Sequence, residues 1–168
     1  TGWYTLSLHD ALPICFSMKA KIFLILLFLT SQFGFGQQKV YNFTNYNSKD
    51  GLASNTINAV LKDKYGFMWF ATEDGLNKFD GQNFNIYRHK EGDANSLGRG
   101  SVMALEEDKN GNLWVGTGDK LSLYNRGLNN FKNYDFNNYG WIRSLEADHL
   151  GNIWVGTYTG LYYFDPKT

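Results

Sequence analysis

Cysteine occurs once, at Cys15, proline twice, and nowhere in the 168 residues is there a block of lysine or arginine. A lone thiol near the start leaves the rest of the chain without a disulfide, so its stability must come from packing. The 16 basic side chains are matched by 16 acidic ones. The basic footprint that phosphate recognition requires is therefore missing, and DNA and RNA are set aside as partners of this segment. The longest apolar run, Ile22 to Leu29, falls far short of the roughly 20 residues that span a bilayer. Catalytic patterns are equally scarce. No Ser, His and Asp constellation, paired-carboxylate motif, Cys/His metal spacing or phosphate-binding glycine loop stands out. With 43% apolar and 17% aromatic residues, the chain has enough to bury to offset the entropy of ordering, which excludes disorder. Its length is that of one domain or a piece of a larger one.

The start of the chain does not belong to that domain. Met18, with Lys19 and Lys21, opens a positive region, the apolar run follows, and Gly34-Phe35-Gly36 offers small residues for a cleavage site, so 18–36 reads as a secretory signal peptide. Residues 1–17 precede that positive region, and Leu6 to Ile14 resembles translated sequencing-adaptor read-through, so 1–17 reads as a non-native scar. Removing both leaves 37–168 with one more acidic than basic side chain and without Cys15, which precedes the charged region and so is no lipobox cysteine.

The mature stretch repeats itself. Trp69, Trp114 and Trp154 stand 45 and 40 residues apart, and aligning on them superposes Asp63, Asp108 and Asp148 six positions before, and Gly66, Gly111 and Gly151 three before. A small residue follows at two after (Ala71, Gly116, Gly156), then Thr72, Thr117 and Thr157, then Leu76, Leu121 and Leu161, then Phe79, Tyr124 and Phe164. Asp-x-x-Gly is a hairpin turn in which the carboxylate accepts from backbone N–H groups two residues on and the glycine takes a positive φ. The β-branched-rich runs beginning at Ile57, Val102 and Ile142 precede it. The apolar triplets Met68-Trp69-Phe70, Leu113-Trp114-Val115 and Ile153-Trp154-Val155 follow it, and such triplets predict strands buried on both faces. A third strand follows a second turn, and Phe84/Tyr87 and Phe131/Tyr134 mark a fourth. Four antiparallel strands per repeat, apolar on both faces, predict an all-β fold: a partial β-propeller of about three blades in an open ring, the third blade incomplete. Blades are expected near 55–89, 99–136 and 140–168. Phe43-Thr44-Asn45-Tyr46 repeats the outer-strand spacing ahead of the first blade, so 40–46 is expected to be the closing strand of a last blade.

The sequence resembles the two-component regulator propeller repeat. Trp114-Val115-Gly116-Thr117 and Trp154-Val155-Gly156-Thr157 match its core almost letter for letter, and Gly51-Leu52-Ala53-Ser54-Asn55-Thr56-Ile57 matches the approach to its first blade. The resemblance covers residues 40–165. Lys120 departs from it, standing where Gly75 and Gly160 mark the second turn, and Asn137 stands where the approach has Leu52 and Leu97. The resemblance implies the N-terminal part of the periplasmic sensor region of a hybrid two-component histidine kinase, a recognition module that senses a glycan and has no enzymatic activity of its own. It implies no cofactor or metal. The partners it implies are an oligosaccharide or other small ligand, the remaining blades, a membrane reached only through a downstream segment, and a homodimer of the full receptor. Alternatives are a propeller enzyme, whether lyase, hydrolase or quinoprotein, and a structural surface propeller. Quinoprotein repeats place Thr directly before the glycine, where this chain has Tyr65, Asn110 and Leu150.

Three features invite a chemical role. Asp108-Lys109-Asn110-Gly111-Asn112 has the oxygen spacing of a calcium loop, but Leu113 and Asp119 stand where that loop needs Gly and Glu, so a hairpin turn is the better reading. His149 reads as a solvated turn residue and His89 as isolated after a strand. The repeated tryptophans read as core. Residues that break the repeat on loops are the better ligand candidates, namely Arg99, Trp141, Arg143 and Tyr158.

Overall fold

The computed structural model describes residues 17–30, 39–136 and 138–167. The chain divides into two compact units between Phe43 and Thr44. In the first, an α-helix, α1 (Met18–Thr30), contains the apolar run. The backbone carbonyl of Ser17 accepts from the N–H groups of Ala20 and Lys21 at its start. No helix among the described residues is long and apolar enough to cross a membrane. The cleavage site expected at 34–36 and nearly all of 1–17 lie outside the described residues.

The second unit is all β. Sheet one contains β1 (Ile57–Lys62), β2 (Met68–Thr72), β3 (Gly75–Phe79) and β4 (Phe84–Tyr87). Sheet two contains β5 (Ala104–Glu107), β6 (Leu113–Gly116), β7 (Lys120–Asn125) and β8 (Asn130–Asp135), and sheet three β9 (Ile142–Ala147), β10 (Ile153–Thr157) and β11 (Leu161–Phe164). Each sheet is an antiparallel meander in sequence order. β1 packs beside β5 and β5 beside β9, so the three sheets fan out from a common inner side and leave the ring open.

Two turns build every sheet. In the first, Asp63 Oδ1 accepts from the N–H groups of Tyr65 and Phe67 at 3.0 and 2.9 Å, and Gly66 turns left-handed at φ +92°. Asp108 with Asn110 and Asn112, and Asp148 with Leu150 and Asn152, repeat the arrangement. In the second turn the repeated threonine is the clasp. Thr72 Oγ1 donates to Gly75 O and accepts from Asp74 N, and Thr157 Oγ1 does the same with Gly160 O and Thr159 N. Sheet two forms this turn without the glycine. Thr117 Oγ1 donates to Lys120 O and accepts from Lys120 N, and Lys120 is not left-handed, whereas Gly75 and Gly160 sit at φ +128° and +150°.

The core lies between sheets. Side chains alternate across a strand, so Leu113 and Val115 of β6 face sheet one while Trp114 between them faces sheet three. Trp69 with Ala71 likewise points from sheet one into sheet two. The small residue at the second position after each tryptophan is what lets sheets approach. A Cβ on Gly116 would stand 2.4 Å from Ile142 Cγ2 of the next sheet.

Burial on both faces holds fully only for the middle sheet. Ile57 and Val60 of β1 are exposed, and Trp154, Leu161 and Tyr163 of sheet three are too, Trp154 at 40%. Trp69 and Trp114 are buried, whereas the face to which Trp154 points has no neighbouring sheet among the described residues, so its burial as core would depend on a following blade. The run expected to begin at Val102 becomes a strand only at Ala104, since Val102 N–H leaves the ladder to bond Thr72 O of the preceding sheet at 3.0 Å. Residues 39–46 form no strand. Tyr46 instead packs on Phe79 and Phe84, with ring centroids 5.6 and 5.8 Å apart.

Trp69→Ala and Trp114→Ala are each expected to cost about 3–5 kcal/mol, and Trp154→Ala clearly less, in urea unfolding of this chain. Equal losses at all three would contradict the burial difference. Gly116→Val, which drives two methyls into Ile142, is expected to cost about 1–3 kcal/mol in the same assay.

Candidate functional site

An antiparallel meander sorts its turns by end. The Asp-x-x-Gly turns and the β3–β4 and β7–β8 turns share one end of the sheets. The threonine turns and the connections between sheets share the other.

The first end is stitched together. The buried Asp63 carboxylate accepts at Oδ2 from Trp69 Nε1 at 2.9 Å and from Arg126 Nη1 at 2.8 Å. Arg126 reaches across from the β7–β8 turn, stacks over the Tyr65 ring at 4.3 Å and lies 3.5 Å from Glu107 Oε1. Burial would raise the Asp63 carboxyl, but the bonds from Trp69, Arg126 and Phe67 N–H outweigh it and hold the group below the ordinary carboxylate range. Lys64 Nζ donates to Asn110 O on the next turn, and Lys109 Nζ to His149 O on the one after at 2.6 Å. His149 is therefore an acceptor through its backbone within a chain of turn-to-turn contacts. Asp108 spends its oxygens on Asn110 N, Asn112 N, Asn112 Nδ2 and Trp114 Nε1, as a turn residue does. This end is structural.

The loop end is polar and open, and all four sequence candidates are there. Arg99 N–H donates to Asp119 Oδ1 at 2.7 Å, and its guanidinium forks onto both Glu91 oxygens at 2.8 and 2.7 Å. Arg99 Nε also donates to His89 Nε2 at 3.1 Å, while His89 Nδ1 faces Leu97 O at 3.1 Å. A carbonyl only accepts, so Nδ1 is the donor to Leu97 O, while Nε2 also lies 3.4 Å from Glu91 Oε2. His89 is thus not isolated, as the sequence suggested. Its partners come from the inter-sheet connection, a contact that only folding reveals. A cleft of about 680 Å³ opens here, lined by His89, Glu91, Asp93, Arg99, Asp119 and Asp135 among others.

Trp141 and Tyr158 are exposed, at 55% and 70%. Trp141 flanks Gly118, whose N–H donates to Arg99 O, and the Arg143 guanidinium stands 4.8 Å over the Tyr158 ring. The structure thus pairs Arg143 with Tyr158 and sets Trp141 beside the Arg99 loop, while Arg99 itself is committed to Glu91 and His89. Position of this corner is fixed by Thr159 Oγ1 on Tyr139 O and by Ile142 N–H on Thr117 O.

Three radiating four-, four- and three-stranded meanders, inner strands side by side, make this an open β-propeller segment. Residues 51–74, 96–119 and 136–159 each match the two component regulator propeller family, and the repeat region belongs to it. The second unit is similar to the extracellular domain of a hybrid two component system, BT3049 of B. thetaiotaomicron, at 36% identity and a TM-score of 0.61 over 72% of this chain. It is also similar to that of BT4673 of the same organism, at 26% identity and a TM-score of 0.62 over 73%. Over 61 residues, 36% of this chain, it is 39% identical to histidine kinase P4 of Formosa agariphila. The chain spans 17% of each of the two solved chains and 4% of the kinase.

Because the folded Asp63 carboxyl sits below its unfolded value of about 3.9, the stability it contributes is complete above that value and is lost as pH falls through the lower folded one. Asp63→Asn is expected to cost about 1–3 kcal/mol at pH 7, since its amide N–H₂ would face two donors. Its unfolding free energy should also fall less than the wild type's between pH 5 and pH 2, measured by urea titration at each pH. A slope equal to wild type would remove Asp63 as a source of acid sensitivity.

Proposed function

We propose that residues 37–168 are the first blades of the exported recognition module of a two-component receptor, and that its loop end senses an oligosaccharide for a kinase encoded further along. The observation that supports this best is the match of all three repeats to extracellular domains of hybrid two component systems. The positive region and apolar helix of 18–30 fit an export signal. The segment has no catalytic role, and its four loop-end candidates, Arg99, Trp141, Arg143 and Tyr158, contact the ligand.

The bare faces belong to the same proposal. A groove of about 470 Å³ on sheet one, lined by Tyr46, Leu52, Ile57, Val60, Phe70 and Phe84, is where the last blade packs, with 40–46 supplying its outer strand. The Trp154, Leu161 and Tyr163 face receives the following blade. About four to eight blades close such a ring, so the isolated 37–168 segment should aggregate through these faces. A segment that stays monomeric and melts cooperatively at high concentration, not only at the dilution used for unfolding, would argue against the role given to them.

The test is the full-length receptor in lipid vesicles, with oligosaccharides added on the repeat side and phosphate incorporation followed. Trp141→Ala is expected to raise the saccharide concentration for half-maximal response at least about tenfold, the equivalent of ~1.4 kcal/mol. A receptor whose phosphorylation no saccharide alters would overturn the glycan reading.

A further inference from the structure

The connection between sheets one and two, residues 88–103, is longer than that between sheets two and three, residues 136–141, and it closes on itself. Arg99 Nε donates to His89 Nε2 at 3.1 Å, so 89–99 has the joined ends of an Ω-loop, a form that often carries function. Both neighbouring sheets are in place around it. Arg88 pairs with Asp74 of sheet one, while Arg99 N–H bonds Asp119 of sheet two and Asn133 of β8 donates to Ala94 O and Ser96 O.

The imidazole at the closure stands between opposite demands. Nδ1 is taken by Leu97 O, which leaves Nε2 with a donor on one side, Arg99 Nε at 3.1 Å, and an acceptor on the other, Glu91 Oε2 at 3.4 Å. A bare Nε2 serves only the arginine, and a protonated one only the carboxylate. Those two partners are also each other's, since Arg99 Nη2 donates to both Glu91 oxygens at 2.8 and 2.7 Å. One proton on His89 therefore sets an imidazolium against a guanidinium and makes them compete for a single carboxylate. The remaining charges around the ring leave that conflict in place. On the side of the β2–β3 turn, Asp74 is engaged by Arg88, and Glu73 faces the same hollow as His89. On the cleft side, Lys120 is paired with Asp135, Asp119 accepts from Arg99 N–H and Asp93 from Asn95 N–H, with Lys90 beside them. A third of the His89 side chain is exposed, so protons reach it from solvent.

We propose that His89 is a proton-operated clasp on this loop. Neutral, it holds Arg99 beside Glu91 and keeps the connection closed. Protonated, it gives up Arg99 Nε, takes Glu91, and frees the guanidinium toward the cleft that both residues line. The loop end then answers to acidity independently of any saccharide.

The test is made on the full-length receptor without added saccharide, by hydrogen–deuterium exchange and mass spectrometry between about pH 8 and about pH 5.5, the range in which imidazole titrates. Exchange of the His89 Cε1 hydrogen reports the charge of the ring. Amide exchange over 89–101, scaled for the intrinsic rate at each pH, reports the closure. Protection over 89–101 is expected to fall about threefold to tenfold as His89 is protonated, in keeping with the loss of one hydrogen bond. Arg99→Met should move the His89 titration to higher pH, and Glu91→Gln to lower. His89→Gln, whose amide oxygen can accept from Arg99 and which takes up no proton in this range, should keep the closed protection at both ends of it. His89→Phe should lack that protection throughout. Wild-type protection that does not change with pH, or that changes as much in His89→Gln, overturns the clasp, as does a His89 titration that neither partner variant moves. Saccharide sensing stands or falls separately, since no saccharide enters the experiment.

Discussion

The fold depends on a carboxylate that does two jobs at once. One oxygen of Asp63 closes the first turn of its sheet through two backbone N–H groups, and the other holds the indole N–H of Trp69. The turn and the main inter-sheet side chain are thereby fixed to each other. A tryptophan can fill the space between two sheets only if its polar N–H has a partner there, and the turn supplies it. Asp108 repeats the bond to Trp114 at 3.4 Å. In the third repeat Asn152 takes both oxygens of Asp148, and Trp154 swings free of the clasp on a face with no neighbour.

Much of this was readable in the residues. The Asp-x-x-Gly turns, the small residue two after each tryptophan and the outer Phe-x-x-Tyr strands all stand where the repeat put them, because each answers to a local rule of backbone geometry. The role of the repeated threonine was not readable. A hydroxyl that accepts from one N–H and donates to a carbonyl three residues on leaves no pattern beyond its own recurrence. It also explains why Lys120 substitutes for a glycine without loss of the turn, since two Thr117 bonds hold that corner regardless. Likewise the bare state of Trp154 is a matter of what lies next to it, which spacing within the chain cannot express.

The loop end shows the same division more sharply. Departure from the repeat singled out Arg99, Trp141, Arg143 and Tyr158, and all four stand at one end of the sheets. What sequence could not separate is their electrostatic condition. Arg99 is neutralised by Glu91 and backed by His89, whereas among the described residues Arg143 is met by the Tyr158 ring. Two arginines that look alike in the sequence therefore differ in their partners, because Arg99 is met by side chains of its own connection folded back on it, and Arg143 by a ring from the next turn.

The turn-to-turn lysine contacts have an evolutionary corollary. Lys64 and Lys109 each donate from one repeat to a backbone carbonyl of the next, so the first two units carry a lysine donor at one position, where the third has His149. Duplicating either of those two units would carry its donor along, and because the acceptor is backbone the contact asks nothing of the side chain it meets. The join between the first two units is the exception, since Arg126 and Asp63 form a side-chain match specific to that pair, and shuffling those units would separate a buried charge from its partner.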